Sequence, residues 1–227
     1  MTRRLGNGIT TRHALCMALT LSTVALGTNG CALTSKADLV EIRYFSPEHA
    51  KRDENGLGAS SAAPRSQSPL YVRLGRVASG PSLRERIVYR NTAYELGYYD
   101  DFRWTERPEN YVRRELGRSL FEVHGIHRVI NGAAPTLDIE VIAFDDVRMG
   151  LNRVARVQLK AMLYDDDGVL FEDTLTTDSP ITGEKPKFET VVAAMANALD
   201  TMADRVSVHV STTLQAKQLA KSTDSTR

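Results

Sequence analysis

Cysteine is almost missing from this chain: Cys16 and Cys31 are the only two, and Trp104 is the single tryptophan. If Cys16 is discarded with a leader, one thiol remains and no intramolecular disulfide can form. Long apolar runs are also wanting. The tract from Ala14 to Gly27 is well short of the roughly 20 residues a spanning helix requires, so a permanent transmembrane anchor is the poorer reading. A strong charge excess is absent, with a formal net charge of +1, which gives no support to nucleic-acid binding. No glycine-rich loop ends in a lysine that would cradle nucleotide phosphates. His49, His124, His127 and His209 are too scattered to assemble with an acid and a nucleophile. His124 and His127 also lack the cysteine or carboxylate company of a metal site. The run Asp165-Asp166-Asp167-Gly168 lacks the alternating ligands and distal glutamate of an EF-hand loop and reads as a compact turn.

What is present begins with a leader. Arg3, Arg4 and Arg12 precede the apolar tract, small or polar Thr28, Asn29 and Gly30 follow it, and no acidic residue interrupts, the layout of a signal peptide over residues 1–30. Thr28-Asn29-Gly30-Cys31 resembles a bacterial lipobox, with Gly30 in its usual place and Thr28 where leucine is expected. Cys31 is thus the candidate lipidation site, expected to carry diacylglycerol and an N-acyl chain and no other cofactor. Ordinary cleavage leaving a free Cys31 is the competing reading, and Arg3-Arg4 hints at a twin-arginine leader without the apolar residues that follow such a pair. Acylation consumes a thiol that would otherwise stand unpaired in an oxidising compartment, and multiple acyl chains hold a protein firmly to a bilayer. By resemblance to the lipoprotein sorting rule, Ala32 points to the outer membrane. Loss of the leader removes three arginines and no carboxylates, which turns the formal balance into about −2.

The roughly 195 residues that follow suffice for one domain with a sizeable core. Residues 31–68 comprise the lipidated terminus, a strand at Leu39 to Phe45, and a stretch from Pro47 to Ser68 too poor in apolar residues to offset its ordering entropy, hence expected mobile. The folded domain is expected over residues 69–212, with a polar tail over 213–227 that frays. Leu70, Val72 and Leu74 alternate as a half-buried strand. Ile87 to Arg90 and Tyr94 to Tyr99 predict a hairpin about Asn91-Thr92. Thr105, Glu106, Pro108 and Glu109 carry helix-start chemistry, with Thr105 as the capping hydroxyl. The helix runs to about His124 with Val112, Leu116, Leu120 and Val123 on its apolar face. Leu137 to Phe144 and Val157 to Tyr164 alternate as strands, and Val169 to Glu172 returns from the aspartate turn. A second helix begins after Pro186 with Phe188, Val191, Val192, Met195, Leu199, Met202 and Val206 on one side. The expected fold class is α+β: a single domain whose largely antiparallel or mixed sheet carries two main helices on one face.

From Tyr71-Val72-Arg73-Leu74 through Phe121, the chain resembles the auxiliary lipoprotein components of ABC-type transporters, which accompany MCE-domain proteins in lipid trafficking across Gram-negative envelopes. The resemblance is carried by Leu83 to Arg90, Glu95 to Tyr99 and Arg103-Trp104-Thr105-Glu106-Arg107-Pro108, and more loosely by Asp138 to Asp146 and the final helix. It implies a non-catalytic, lipid-anchored periplasmic protein that docks a transport assembly at the outer membrane. Implied partners are an MCE-domain protein, ABC transporter subunits and the membrane, with a homo-oligomer suggested around a symmetric tube. Arg103, Trp104, Glu106 and Arg107 are the candidate partner-binding residues, because arginine and tryptophan favour interface centres. The plainer reading makes Trp104 a core plug and Arg107 a surface partner of Glu106 or Glu109. An outer-membrane cofactor of a cell-wall synthase or envelope assembly machine is the alternative function, and a periplasmic hydrolase the weaker one.

Overall fold

The computed structural model describes residues 41–48, 68–149, 152–183 and 185–224. From Ile42 onward they form one packed unit. Along the chain come β1 (Arg43–Phe45), β2 (Tyr71–Ser79), β3 (Arg86–Arg90), β4 (Leu96–Trp104), α1 (Pro108–Gly117, continued by wider π-type turns over Arg118–Val123), β5 (His127–Arg128), β6 (Thr136–Val147), β7 (Val154–Asp165), β8 (Gly168–Pro180) and α2 (Phe188–Asp224). The expected α+β class holds, with a sheet that is mixed. β1 pairs with β4, and the loop before β2, expected to be mobile, falls mostly outside the described residues.

The axis of the sheet is β6. One edge pairs antiparallel with β7 from Thr136↔Tyr164 to Val147↔Val154, and β7 pairs in turn with β8. The other edge is shared: β2 lies parallel to the first half, Arg73↔Thr136 to Ser79↔Val141, and β3 to the last three residues, Val88↔Asp145 to Arg90↔Val147. In effect β2 and β3 are one strand interrupted by residues 80–85, where Leu83 folds inward at 3% exposure. β4 then pairs antiparallel with β3, β1 parallel with β4, and β5 parallel with β2.

The expected hairpin forms, but its second strand starts at Leu96 and not Tyr94, because Thr92 Oγ1 accepts from the Tyr94 and Glu95 amides at 3.3 and 3.0 Å and holds them in the turn, as threonine favours. Inward-facing Leu137, Ile139, Val141, Val157, Leu159, Ala161 and Leu163 alternate as the period-two pattern requires. They meet Tyr111, Val112, Leu116 and Leu120 of α1 and the stripe Val191, Met195, Met202, Val206 and Val210 of α2. α1 lies against β2, β6 and α2, while α2 covers β7 and β8, so both helices share one face of the sheet.

Three local expectations about the helices are corrected. The helix start is not capped by Thr105: the N-cap position is Arg107, no side chain caps it, and Pro108 opens the first turn. Val123 leaves the apolar face and is exposed, because the π-type turns bond the His124 amide back to the Ser119 carbonyl and shift the angular register. Ser119 turns inward instead, where Ser207 Oγ donates to its Oγ at 2.9 Å. The polar segment after residue 212 is helical to Asp224. It is tied down by Lys217, whose ammonium pairs with Asp165 and, at 3.0 Å, with Asp167, and by Gln218, which donates to the Pro69 carbonyl at 3.2 Å. No described helix is long and apolar enough to cross a membrane.

Candidate docking surface

The corner where β4 becomes α1 holds the four residues singled out for partner contact. Its backbone is fixed from two sides, the Trp104 amide donating to Glu85 O at 2.7 Å and the Thr105 amide to Phe45 O at 2.9 Å. Beneath it the Tyr111 hydroxyl lies 2.6 Å from Thr105 Oγ1 and accepts from the Glu106 amide at 3.0 Å. Trp104 turns inward. It is 1% exposed, edge-on to Phe144 at 5.5 Å and to Tyr111 at 6.3 Å. The core-plug placement is therefore the one the fold adopts, and its ring presents no surface to a partner.

Arg103 folds back on its own strand, donating to the carbonyls of Asp100, Tyr99 and Phe102 at 3.0, 2.9 and 2.8 Å. Glu106 and Arg107 reach the surface but face different neighbours. Arg107 Nε donates to Glu85 at 3.1 Å, rather than to Glu106 or Glu109. Glu106 accepts from Arg114 at 2.8 Å, and the same guanidinium donates from Nε to Glu48 at 2.6 Å, beyond β1. The Arg114 hydrogen bond, reinforced by its charge, holds the Glu106 carboxyl below its ordinary range. Glu85 is lowered as well, by its own backbone amide first and by Arg107 second. An open depression of about 760 Å³ adjoins these residues, lined by Glu48, Arg113, Arg114, Arg118, Phe121 and Leu199 among others. The result is a charged, paired surface over an aromatic corner. It is suited to contact by polar exchange.

Sequence reasoning missed a second cluster at the end of β6. Its register shifts between Val141 and Ala143, and from Ala143 to Val147 every residue is buried, including Asp145 and Asp146 at 0% exposure. Arg90 donates to Asp145. Asp146 receives Arg153 at 2.7 and 2.6 Å, Arg148 at 2.9 Å, and the Tyr99 hydroxyl. Burial by itself would raise the Asp146 carboxyl, but the Arg153, Tyr99 and Arg148 donors outweigh it and hold it below its ordinary value. Burial first, and the hydrogen bond to Asp146 second, push the Tyr99 hydroxyl up to about 12. The available signal was the break in alternation at Phe144-Asp145-Asp146-Val147, two adjacent acids in a strand apolar on both sides of them. Cys31 lies outside the described residues.

A family model described as ABC-type transport auxiliary lipoprotein component matches residues 57–207. The chain belongs to that family. Within it, the match takes in β2 to β8 and the first half of α2, and so contains both the β4–α1 corner and the buried acid pair. A crystal structure of a Xanthomonas campestris protein assigned to the DUF330 family model is similar at 21% identity and a TM-score of 0.59, covering 79% of this chain and 99% of that one. Another solved structure, described as an uncharacterized protein, is 14% identical with a TM-score of 0.53 and covers 63% of this chain and 95% of that one. At these identities the likeness establishes the fold. A comparison with curated proteins finds no match. As a family member the chain is an auxiliary lipoprotein component of ABC-type transport.

Proposed function

We propose that this auxiliary lipoprotein is a non-catalytic, lipid-anchored periplasmic component that docks an MCE-type lipid-transport assembly at the outer membrane. The observation that carries the reading is the family match over the folded domain, joined to a leader that ends on the only thiol left after its removal. Cys31 with its acyl chains holds the protein to the membrane, and Ala32 favours the outer one. The domain then supplies a rigid surface. Glu106 and Arg107, with Glu85 and Arg114, are its partner-facing groups. Trp104 and Arg103 hold that corner in shape from beneath and behind.

Electrostatic surfaces of this kind set partner choice and association rate more than raw affinity. Subunits of an ABC transporter and the MCE protein are the expected partners, and a symmetric tube would be met by several copies of the chain. The test is co-purification of the native protein from solubilised envelopes. An MCE-domain protein in the eluate, lost from an Arg107→Glu variant that retains its melting temperature, is the expected result. Recovery of a peptidoglycan synthase in its place would overturn the assignment. Mass spectrometry of the mature amino terminus tests the anchor separately.

A further inference from the structure

A second concavity, of about 630 Å³, opens beside β1 and the start of α2, with Arg43, Arg148, Arg153 and Lys187 on its walls and Tyr99, Phe102 and Phe188 between them. Its charges do not balance. Asp146, itself fully buried, serves both Arg148 and Arg153, Arg43 pairs with Glu189 at 2.8 Å, and Lys187 adds a further cation on an exposed side chain. Four cations thus face two carboxylates. The arginines are neither deeply buried nor fully solvated, at 25% exposure for Arg153, 31% for Arg148 and 51% for Arg43. Arg148 is stiffened by stacking over Tyr89 at 4.3 Å and Tyr99 at 4.7 Å. Its Nε donates to Asp146 at 2.9 Å and its side chain also bonds the Tyr99 hydroxyl, out of the five N–H groups a guanidinium carries.

We propose that this cavity binds the phosphate of an anionic phospholipid headgroup. Planar guanidinium groups recognise phosphate with paired donors, and the surplus positive charge selects an anion. The wall is also apolar: Phe102 and Phe188 lie 4.1 Å apart, with Tyr99 4.9 Å from Phe188, a surface suited to the glycerol edge of a lipid. Position argues for a membrane rather than a free phosphate. Arg43 opens β1, and its neighbours Ile42 and Tyr44 are exposed at 46% and 64%, an apolar and an amphipathic side chain of the sort that settles at a membrane interface. Only the residues between Cys31 and Ile42 separate this edge from the anchor, a span of at most about 40 Å when fully extended. That is shorter than the roughly 55 Å length of a helix such as α2. The inference therefore rests on the Cys31 anchor for its geometry, while the cavity itself lies wholly within the described residues.

The experiment uses the full-length chain carrying Cys31→Ser, so that headgroup recognition is read without acyl chains. Its flotation is measured with vesicles of phosphatidylcholine alone and with phosphatidylglycerol added. Arg43→Gln combined with Lys187→Gln should cut partition into the phosphatidylglycerol vesicles about tenfold, the loss expected when surface cations near an anionic bilayer are removed. Lys221→Glu, the same change in charge at the far end of α2, should leave it unchanged. Equal loss from Lys221→Glu, or equal partition of the parent into both kinds of vesicle, overturns the site. Saturation by glycerol 3-phosphate without vesicle binding overturns the lipid headgroup in favour of a soluble anion. Should the double variant melt early, Lys187→Glu alone decides, because that side chain is exposed. A parent chain that captures the transport partner yet shows no preference for phosphatidylglycerol vesicles would defeat this inference and leave the docking function standing.

Discussion

Trp104 fills space that no other side chain of its neighbourhood can fill, wedged edge-on against Phe144 and Tyr111 at 1% exposure. Truncation leaves a cavity as well as lost transfer energy, so Trp104→Ala should cost about 3–5 kcal/mol in chemical denaturation. A variant of unchanged stability would mean that the ring is not packed as described. At Asp146 the prediction concerns pH. The Arg153, Tyr99 and Arg148 donors overcome the burial penalty and depress the carboxyl below 3.8. The folded state therefore binds that proton less readily than the unfolded chain. The resulting stabilisation is fully present above the unfolded value, and it is lost as pH falls through the lower folded one. Melting temperatures followed from neutrality into the acid range should fall more steeply for the parent than for Asp146→Asn. Asp146→Ala should be worse than either at neutral pH, by about 3–5 kcal/mol, because it strands two partly buried guanidinium groups. Gly97 is constrained for another reason. A Cβ there would come within 2.4 Å of the Tyr89 ring, which also packs edge-on to Tyr99 and lies under Arg148.

At the scale of elements, the period of the apolar residues governs what forms, and its interruptions mark what bends. The stripe of Phe188, Val191, Val192, Met195, Leu199, Met202 and Val206 returns at helical spacing, and all but the half-buried Val192 are buried, so α2 was legible from sequence. So were the alternating halves of β6 and β7. Local pattern fails where a neighbour decides. The end of α2 is polar by composition, yet Lys217 clamps it to the Asp165–Asp167 turn and Gln218 to Pro69, contacts between positions about 50 and 149 residues apart. The π-type turns at Arg118–Val123 likewise displace the residue-to-face assignment with no distinctive residue to announce them, whereas the register shift after Val141 is marked only by the adjacent acids Asp145 and Asp146. The parallel partnerships of β2 and β3 with one edge of β6 could not be read from spacing, because strand polarity is set by connections and not by alternation. Of the proposed contact corner, the helix start at Pro108 was legible, whereas Arg107's choice of Glu85 depends on how β3 is threaded. Lys217→Ala should release the last turns of α2, seen in hydrogen exchange as lost protection beyond Leu214 with the protection of Met195 to Val206 unchanged.

For the molecule as a whole, the question is how much of the function depends on the domain and how much on its attachment. The packed unit begins at Ile42. Its buried hydrophobic core runs from Val72 to Leu214, none of it near Cys31 in sequence. On the proposed reading, the Cys31 thiol contributes anchoring. One acyl chain would give marginal, reversible binding, and each buried methylene adds about 0.8 kcal/mol, so the proposed diacylglycerol and N-acyl group together would set retention. Cys31→Ser should thus move the protein from the membrane fraction to the soluble fraction at high salt, where surface charge is screened, while its thermal unfolding midpoint stays where it was. Retention in the pellet under those conditions would show that something other than acyl chains holds the chain. A lowered midpoint would show that residues ahead of Ile42 help to build the fold. Measured together, fractionation and melting separate the tether from the body, and only a body that survives intact without its tether can serve as the proposed docking surface.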